Sequence, residues 1–264
     1  MNDRKETESA NQPLLEINAI SKSFGGVHAV RDVSFLLGPG TITGLIGPNG
    51  AGKTTLFNLI TGIFPANSGA ISFDGDSIHK VPINDLVRRG IARTFQNVEL
   101  FESMTVLENI LVGQHTRIRC GMWGSIFRFP RVLREEQWAR QNAMALLEFV
   151  GLEDYADQKS SDLPFGWQRM LELARALAAS PKLLLLDEPA AGLNIVETAK
   201  LGELIENIRS QGITILLVEH DMSLTMTVSD KIIVLDRGRK IADGLPREVQ
   251  ADESVIKAYL GTTG

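Results

Sequence analysis

One run of residues has both the types and the spacing to do chemistry on phosphates. Gly47-Pro48-Asn49-Gly50-Ala51-Gly52-Lys53-Thr54 fits G-x-x-x-x-G-K-[ST] in full, and Thr55 follows it. Glycines let the backbone curl so that successive N–H groups point inward and cradle phosphate oxygens. A helix starting near Lys53 adds the positive end of its dipole to the same anion. Lys53 brings a full charge to the β and γ phosphates, and the Thr54 hydroxyl is a hard oxygen ligand for Mg²⁺. The pattern implies a nucleoside triphosphate with Mg²⁺.

Two acids and a histidine complete the candidate chemistry. Leu183-Leu184-Leu185-Leu186 runs straight into Asp187 and Glu188. In an open α/β sheet, ligands bind at the carboxyl ends of the strands, so both acids should face the phosphate loop. Asp187 is placed to hold Mg²⁺, and Glu188 to polarise an attacking water. His220 follows another apolar run, which would bring an imidazole toward the γ-phosphate. His28, His79 and His115 have no such context.

These residues need strands and helices behind them. Leu15, Ile17 and Ala19 alternate with polar neighbours, Gly25-Gly26 signals a turn, and Val33, Phe35 and Leu37 alternate again, so the chain opens with antiparallel strands. Ile42 to Ile46 forms a short apolar run before the glycine loop, and Leu56, Leu59 and Ile60 follow at helical spacing. Strand, glycine loop and helix begin an α/β unit. Further strands are expected over Gly90–Phe95, Leu183–Leu186 and Ile213–Val218. The last two are nearly continuous apolar runs, as in parallel strands covered on both faces. Between Gln96 and Pro181 strand signals vanish, and Gln141–Val150 and Trp167–Ala179 read as helices. The expected fold is α/β: a parallel-sheet core with an N-terminal antiparallel β subdomain and an inserted helical lobe. The expected division is a polar tail over 1–13 and one domain over 14–264, with core at about 14–96 and 181–264 and lobe at about 97–180.

Composition removes other classes. There are 27 basic and 32 acidic residues, a net charge of −5, which argues against a nucleic-acid partner. A single cysteine, Cys120, leaves no internal disulfide. Met1 to Pro13 is polar and lacks the core of a signal peptide. No apolar run reaches the roughly 18 residues that span a bilayer.

The motifs together resemble the ATP-binding subunits of ABC transporters, and the match covers nearly the whole chain after the tail. It rests on the Walker A loop Gly47–Thr54, the Walker B run Leu183–Glu188 and Thr94-Phe95-Gln96-Asn97, which is similar to the Q-loop. Leu163-Pro164-Phe165-Gly166-Trp167-Gln168 stands at the signature position, Ala191-Gly192-Leu193-Asn194 at the D-loop and His220 at the switch histidine. The resemblance implies that Phe24 stacks on adenine and that Gln96 senses Mg²⁺ and water. It implies that Glu99–Met104 lines the groove for a membrane subunit, and that the signature segment acts in trans on a partner's nucleotide. It also implies catalytic roles for Glu188, His220 and Gln96, and metal ligation by Thr54, Gln96 and Asp187.

Within the family the chain resembles the longer, LivG-type ATPase of branched-chain (hydrophobic) amino acid importers. Pro189–Asn194, Glu219-His220-Asp221-Met222, Gly238–Gly244 and Ala258-Tyr259-Leu260-Gly261 carry this, with an Arg-rich segment at about 117–134. The implied partners are two transmembrane permease subunits, a second ATPase subunit or a second copy of this chain, and indirectly a periplasmic or lipid-anchored substrate-binding protein. The implied place is the cytoplasmic face of the inner membrane. The chain departs from the family at the signature, with Pro164 for serine, Phe165 for glycine and Trp167 for glutamine, and at Asn194, where aspartate is usual. A urea or amide importer and a lipid-type exporter are the rival readings. A guanine-reading Asn-Lys-x-Asp is missing, which disfavours a small GTPase, and neither a long coiled coil nor a tandem cassette points to work on DNA or ribosomes.

Overall fold

The computed structural model describes residues 12–114 and 130–260. Nearly all of the expected polar tail, His115, residues 117–129 of the Arg-rich segment and Gly261 lie outside the described residues.

The opening strands β1 (Leu15–Phe24) and β2 (Val27–Leu37) pair antiparallel, and β1 also pairs with β4 (Ser68–Phe73), which turns into β5 (Asp76–Ser77). The alternation in β1 departs from expectation after Ile17. Ala19 takes a left-handed φ of 47° and the register to β2 shifts there, so Ile20, not Ala19, becomes the next fully buried side chain.

The larger sheet has the order β10 (Arg239–Gly244), β9 (Lys231–Asp236), β3 (Ile42–Ile46), β8 (Thr214–Val218), β7 (Leu183–Asp187), β6 (Ile91–Arg93). All its neighbours are parallel except β10 on β9. Strands β9 and β10, and the pair β4 and β5, add to those expected. Strand β6 starts one residue after the expected Gly90, which is spent ending the preceding helix with a φ of 105°, and it stops at Arg93, two residues before the expected Phe95.

Alternate side chains of the central strands enter two different cores, which is why these strands read as unbroken apolar runs. Leu45, Leu185, Leu216 and Leu235 pack on one face with Leu56 and Phe57 of helix α1 (Lys53–Ile60) and with the antiparallel strands. After α2 (Ile83–Arg89), the stretch between β6 and β7 is helical: α3 (Val106–Gly113), α4 (Pro130–Val150) and α5 (Phe165–Leu177) share a core of Val106, Ile110, Ala143, Leu147, Leu171 and Ala174. On the sheet's second face, Ile42, Leu184 and Leu217 pack against α5, α6 (Ile195–Ser210) and α7 (Met222–Val228). Helices α8 (Pro246–Ala251) and α9 (Glu253–Leu260) close the described chain, with Val249 and Val255 against β9. No helix among the described residues is long and apolar enough to cross a membrane.

Candidate nucleotide site

Strand register brings the predicted chemistry to one place. In the sheet Leu45 lies beside Val218, and Val218 beside Asp187, so the residues that follow β3, β8 and β7 emerge as neighbours. Those residues are the phosphate loop, Glu219-His220 and Glu188.

The loop is braced from below. Gly47 sits at a φ of 152°, and a Cβ there would lie 2.1 Å from the Leu235 carbonyl of β9, so no side chain fits. The Gly238 N–H, in the turn between β9 and β10, donates to the Ala51 carbonyl at 3.0 Å. Gly52 precedes α1, whose first residues are Lys53, Thr54 and Thr55. Asn49, Gly50 and Thr54 are exposed at the mouth, whereas Lys53 is buried and donates to the Gly47 carbonyl at 2.7 Å and the Pro48 carbonyl at 3.2 Å. Burial pulls the Lys53 ammonium below its ordinary pKa, while the charges of Glu188 and Asp187 pull the other way. Both acids, expected to face the phosphate loop, thus lie near enough for their charges to reach Lys53.

Glu188 holds a left-handed φ of 49°, fixed by its N–H donating to the Val218 carbonyl at 2.8 Å. Its Oε2 accepts from Gln96 Nε2 at 3.0 Å and lies 3.7 Å from His220 Nδ1. Three of the predicted site residues, Gln96, Glu188 and His220, therefore meet at one carboxylate.

Asp187 is buried and ion-paired with Arg93 at 2.7 Å. Arg93 also donates to Asn58 Oδ1 at 2.7 Å and lies over the Phe57 and Phe95 rings. One carboxylate oxygen of Asp187 is thus committed to the protein. The donor set that remains, Asp187, the Thr54 hydroxyl and the Gln96 amide, consists of hard oxygens and suits Mg²⁺ shared with nucleotide phosphates.

Elsewhere the predicted residues separate. Phe24 is exposed at the end of β1, edge-on to Phe64 with centroids 5.2 Å apart and with Lys22 Nζ 5.0 Å over its ring. Within the signature segment Leu163–Gln168, Leu163 and Trp167 pack into the core of the helical lobe, whereas Phe165 and Gly166 meet Gly192 and Glu197 of the same chain. The exposed Phe165 ring abuts Gly192, where a Cβ would lie 2.8 Å from it, and Gly166 is buried against the Glu197 carboxylate. Helix α5 starts at Phe165, two residues before the expected Trp167, with Pro164 at the cap position and Gln168 Nε2 donating to the Leu163 carbonyl at 2.9 Å. Trp167 stands edge-on to Tyr155 at 4.4 Å.

Sequence reasoning gave no role to Arg93 or to the side chain of Glu219. Glu219 is buried and accepts from the Ala190 N–H at 2.6 Å and the His220 N–H at 3.1 Å, so it fixes the backbone on both sides of the site. Burial pushes its carboxyl above the usual range against the pull of those amides and of His220. The signal for both was a charged residue in or directly after an apolar strand.

Comparison with known proteins identifies the family. The ABC transporter family model matches residues 30–191. The chain belongs to the ABC transporter family. A second family model, branched-chain amino acid ATP-binding cassette transporter, matches residues 239–264. The chain is 43% identical over 252 residues to the high-affinity branched-chain amino acid transport ATP-binding protein BraF of Pseudomonas aeruginosa, covering 95% of this chain and 99% of BraF. To LivG of Escherichia coli, of the same description, it is 44% identical with the same coverage. A crystal structure of the ADP conformation of an ATP-binding cassette of an ABC transporter superposes with a TM-score of 0.83 at 32% identity, covering 95% of this chain and all of that one. As an ABC ATPase, this chain couples ATP hydrolysis to transport.

Proposed function

We propose that the chain energises import of branched-chain (hydrophobic) amino acids, with Glu188 as the residue that polarises the attacking water. The observation that carries the hydrolytic part is the Glu188 carboxylate, oriented by Gln96 at 3.0 Å, directly after the buried Asp187 and above the phosphate loop. The substrate class rests on the names of the relatives and on the match over 239–264.

In this reading the loop amides of Gly47–Thr55 and Lys53 hold the phosphates of ATP, and Phe24 receives the adenine. Asp187, Thr54 and Gln96 would hold Mg²⁺, which when bound neutralises charge on the β and γ phosphates. Glu188 takes a proton from water as the water oxygen bonds to the γ-phosphorus and the bond to the β,γ-bridging oxygen breaks, releasing ADP and phosphate; His220 faces the same oxygen of Glu188. Residues 14–264 act as one ATPase domain, with core over about 14–96 and 181–264 and a helical lobe over about 97–180. Two such subunits sandwich ATP, the signature segment Leu163–Gln168 of each completing the other's site. The dimer works at the cytoplasmic face of the inner membrane with two permease subunits and, through them, a substrate-binding protein. Phe101, exposed under the Arg175 guanidinium at 5.6 Å, lies in the stretch expected to meet a permease.

Glu188→Gln keeps the shape of the side chain and removes the base. Turnover is expected to fall by about a hundred- to ten-thousand-fold with ATP affinity retained. Near wild-type turnover would overturn the assignment.

A further inference from the structure

Two charged side chains of α5 have no part in the scheme above. Arg169 and Glu172 stand one turn apart, 5% and 2% exposed, and pair at 3.1 Å. Both are turned onto the backbone of the Gln96 segment. Arg169 Nη1 donates to the Phe95 carbonyl at 3.0 Å, and Nη2 donates to the Gln96 carbonyl. Glu172 Oε1 accepts from the Phe95 N–H at 3.2 Å. The same helix begins with the signature segment, and the exposed Phe165 ring lies 5.6 Å from the Arg169 guanidinium. On its other side Gln96 donates to Glu188. A continuous line of contacts thus runs from Phe165 through Arg169 and the Gln96 backbone to the Glu188 carboxylate.

A buried ion pair is a poor way to stabilise a fold, since an apolar pair of similar volume is often as good or better. What it supplies here is direction: three charge-assisted bonds fix one short stretch of backbone to one helix. We infer that Arg169 and Glu172 are positioning residues that fasten the Phe95–Gln96 backbone to the signature helix, so that displacement of that helix is delivered to Gln96 and so to Glu188. The inference rests on the hydrolytic reading of Glu188. It makes the state of the signature segment, which faces the partner's nucleotide, an input to this chain's own site.

The test is the full chain carrying Arg169→Met with Glu172→Met, which removes both charges at once and leaves neither partner buried alone. The melting midpoint and the KM for MgATP are expected to hold while kcat falls about tenfold. In a Gln96→Ala background the same two changes should leave kcat where Gln96→Ala alone puts it. An equal further fall in that background, or full turnover without it, overturns the inference. Should the paired variant fold poorly, Glu172→Gln, which keeps size and shape, is put through the same cycle. Hydrogen exchange at the Phe95 amide separates this from the catalytic reading, because it needs no turnover. It should quicken about tenfold on loss of the Glu172 acceptor. A wild-type exchange rate would sink the clamp even if Glu188 acts as proposed, whereas quickened exchange beside an active Glu188→Gln would leave the clamp and remove the catalytic role.

Discussion

Lys53 shows how much of the site a single side chain holds in readiness. Its ammonium is buried beneath the loop, bonded to the Gly47 and Pro48 carbonyls, with two carboxylates close enough to favour its charge. Lys53→Ala therefore removes a charge aimed at phosphate. A hydrogen bond to a charged group is worth about 1.5–3 kcal/mol, so ATP should bind roughly ten- to a hundredfold more weakly by calorimetry. The loop residues, Asp187 and Glu188 were legible because their chemistry is written in consecutive positions. Arg93 was readable only as a charge in an apolar strand, not by its role: its partners Asn58 and Asp187 are 35 and 94 residues away, and the packing of α1 on the sheet and the pairing of β6 with β7 bring them together.

Helix α6 shows why one departure from the family pattern does no structural harm. Asn194 caps it, Oδ1 accepting from the Val196 and Glu197 N–H groups at 2.9 and 3.0 Å, while Glu197 Oε2 accepts from the Asn194 N–H at 2.9 Å. Asparagine and aspartate are equivalent in this role, so Asn194→Asp should leave stability unchanged, whereas Asn194→Ala should cost about 1 kcal/mol by denaturant melting. At this scale the apolar runs β3, β7 and β8 were readable, as was α5. Strand β9 went unread, although Ile232, Ile233, Val234 and Leu235 are all fully buried. An apolar run of that length suits a strand or a short helix equally, and its neighbours decide. The buried stripe of α5 held a further signal: Gly166, Arg169, Leu173 and Leu177 recur at helical spacing, and an arginine on such a stripe asks for a partner inside.

For the whole molecule, the proposed sandwich leaves one subunit with half a site, since in that reading its signature segment completes the partner's site, and Pro164 has no N–H to give. Turnover of the purified chain should accordingly be low and should rise more steeply than linearly with protein concentration; a high, strictly proportional rate would contradict the sandwich. The architecture was legible as a class, α/β with a helical insertion, because the period of the apolar pattern changes at Gln96 and again near Pro181. Strand order was not legible, and it has a consequence for how the protein is made. Strand β3, which ends in the phosphate loop, is flanked by β8 and β9, whose residues start at Thr214 and Lys231. A growing chain has exposed its glycine loop long before either flank exists, and at about 5–20 residues per second that interval lasts on the order of ten seconds or more. During it the loop has neither the Leu235 carbonyl under Gly47 nor the Gly238 amide on Ala51. Chains stopped on the ribosome before Lys231 has emerged should fail to retain a photoreactive ATP analogue, and those released beyond the α9 helix should capture it; early capture would mean that the loop can shape itself without its neighbours.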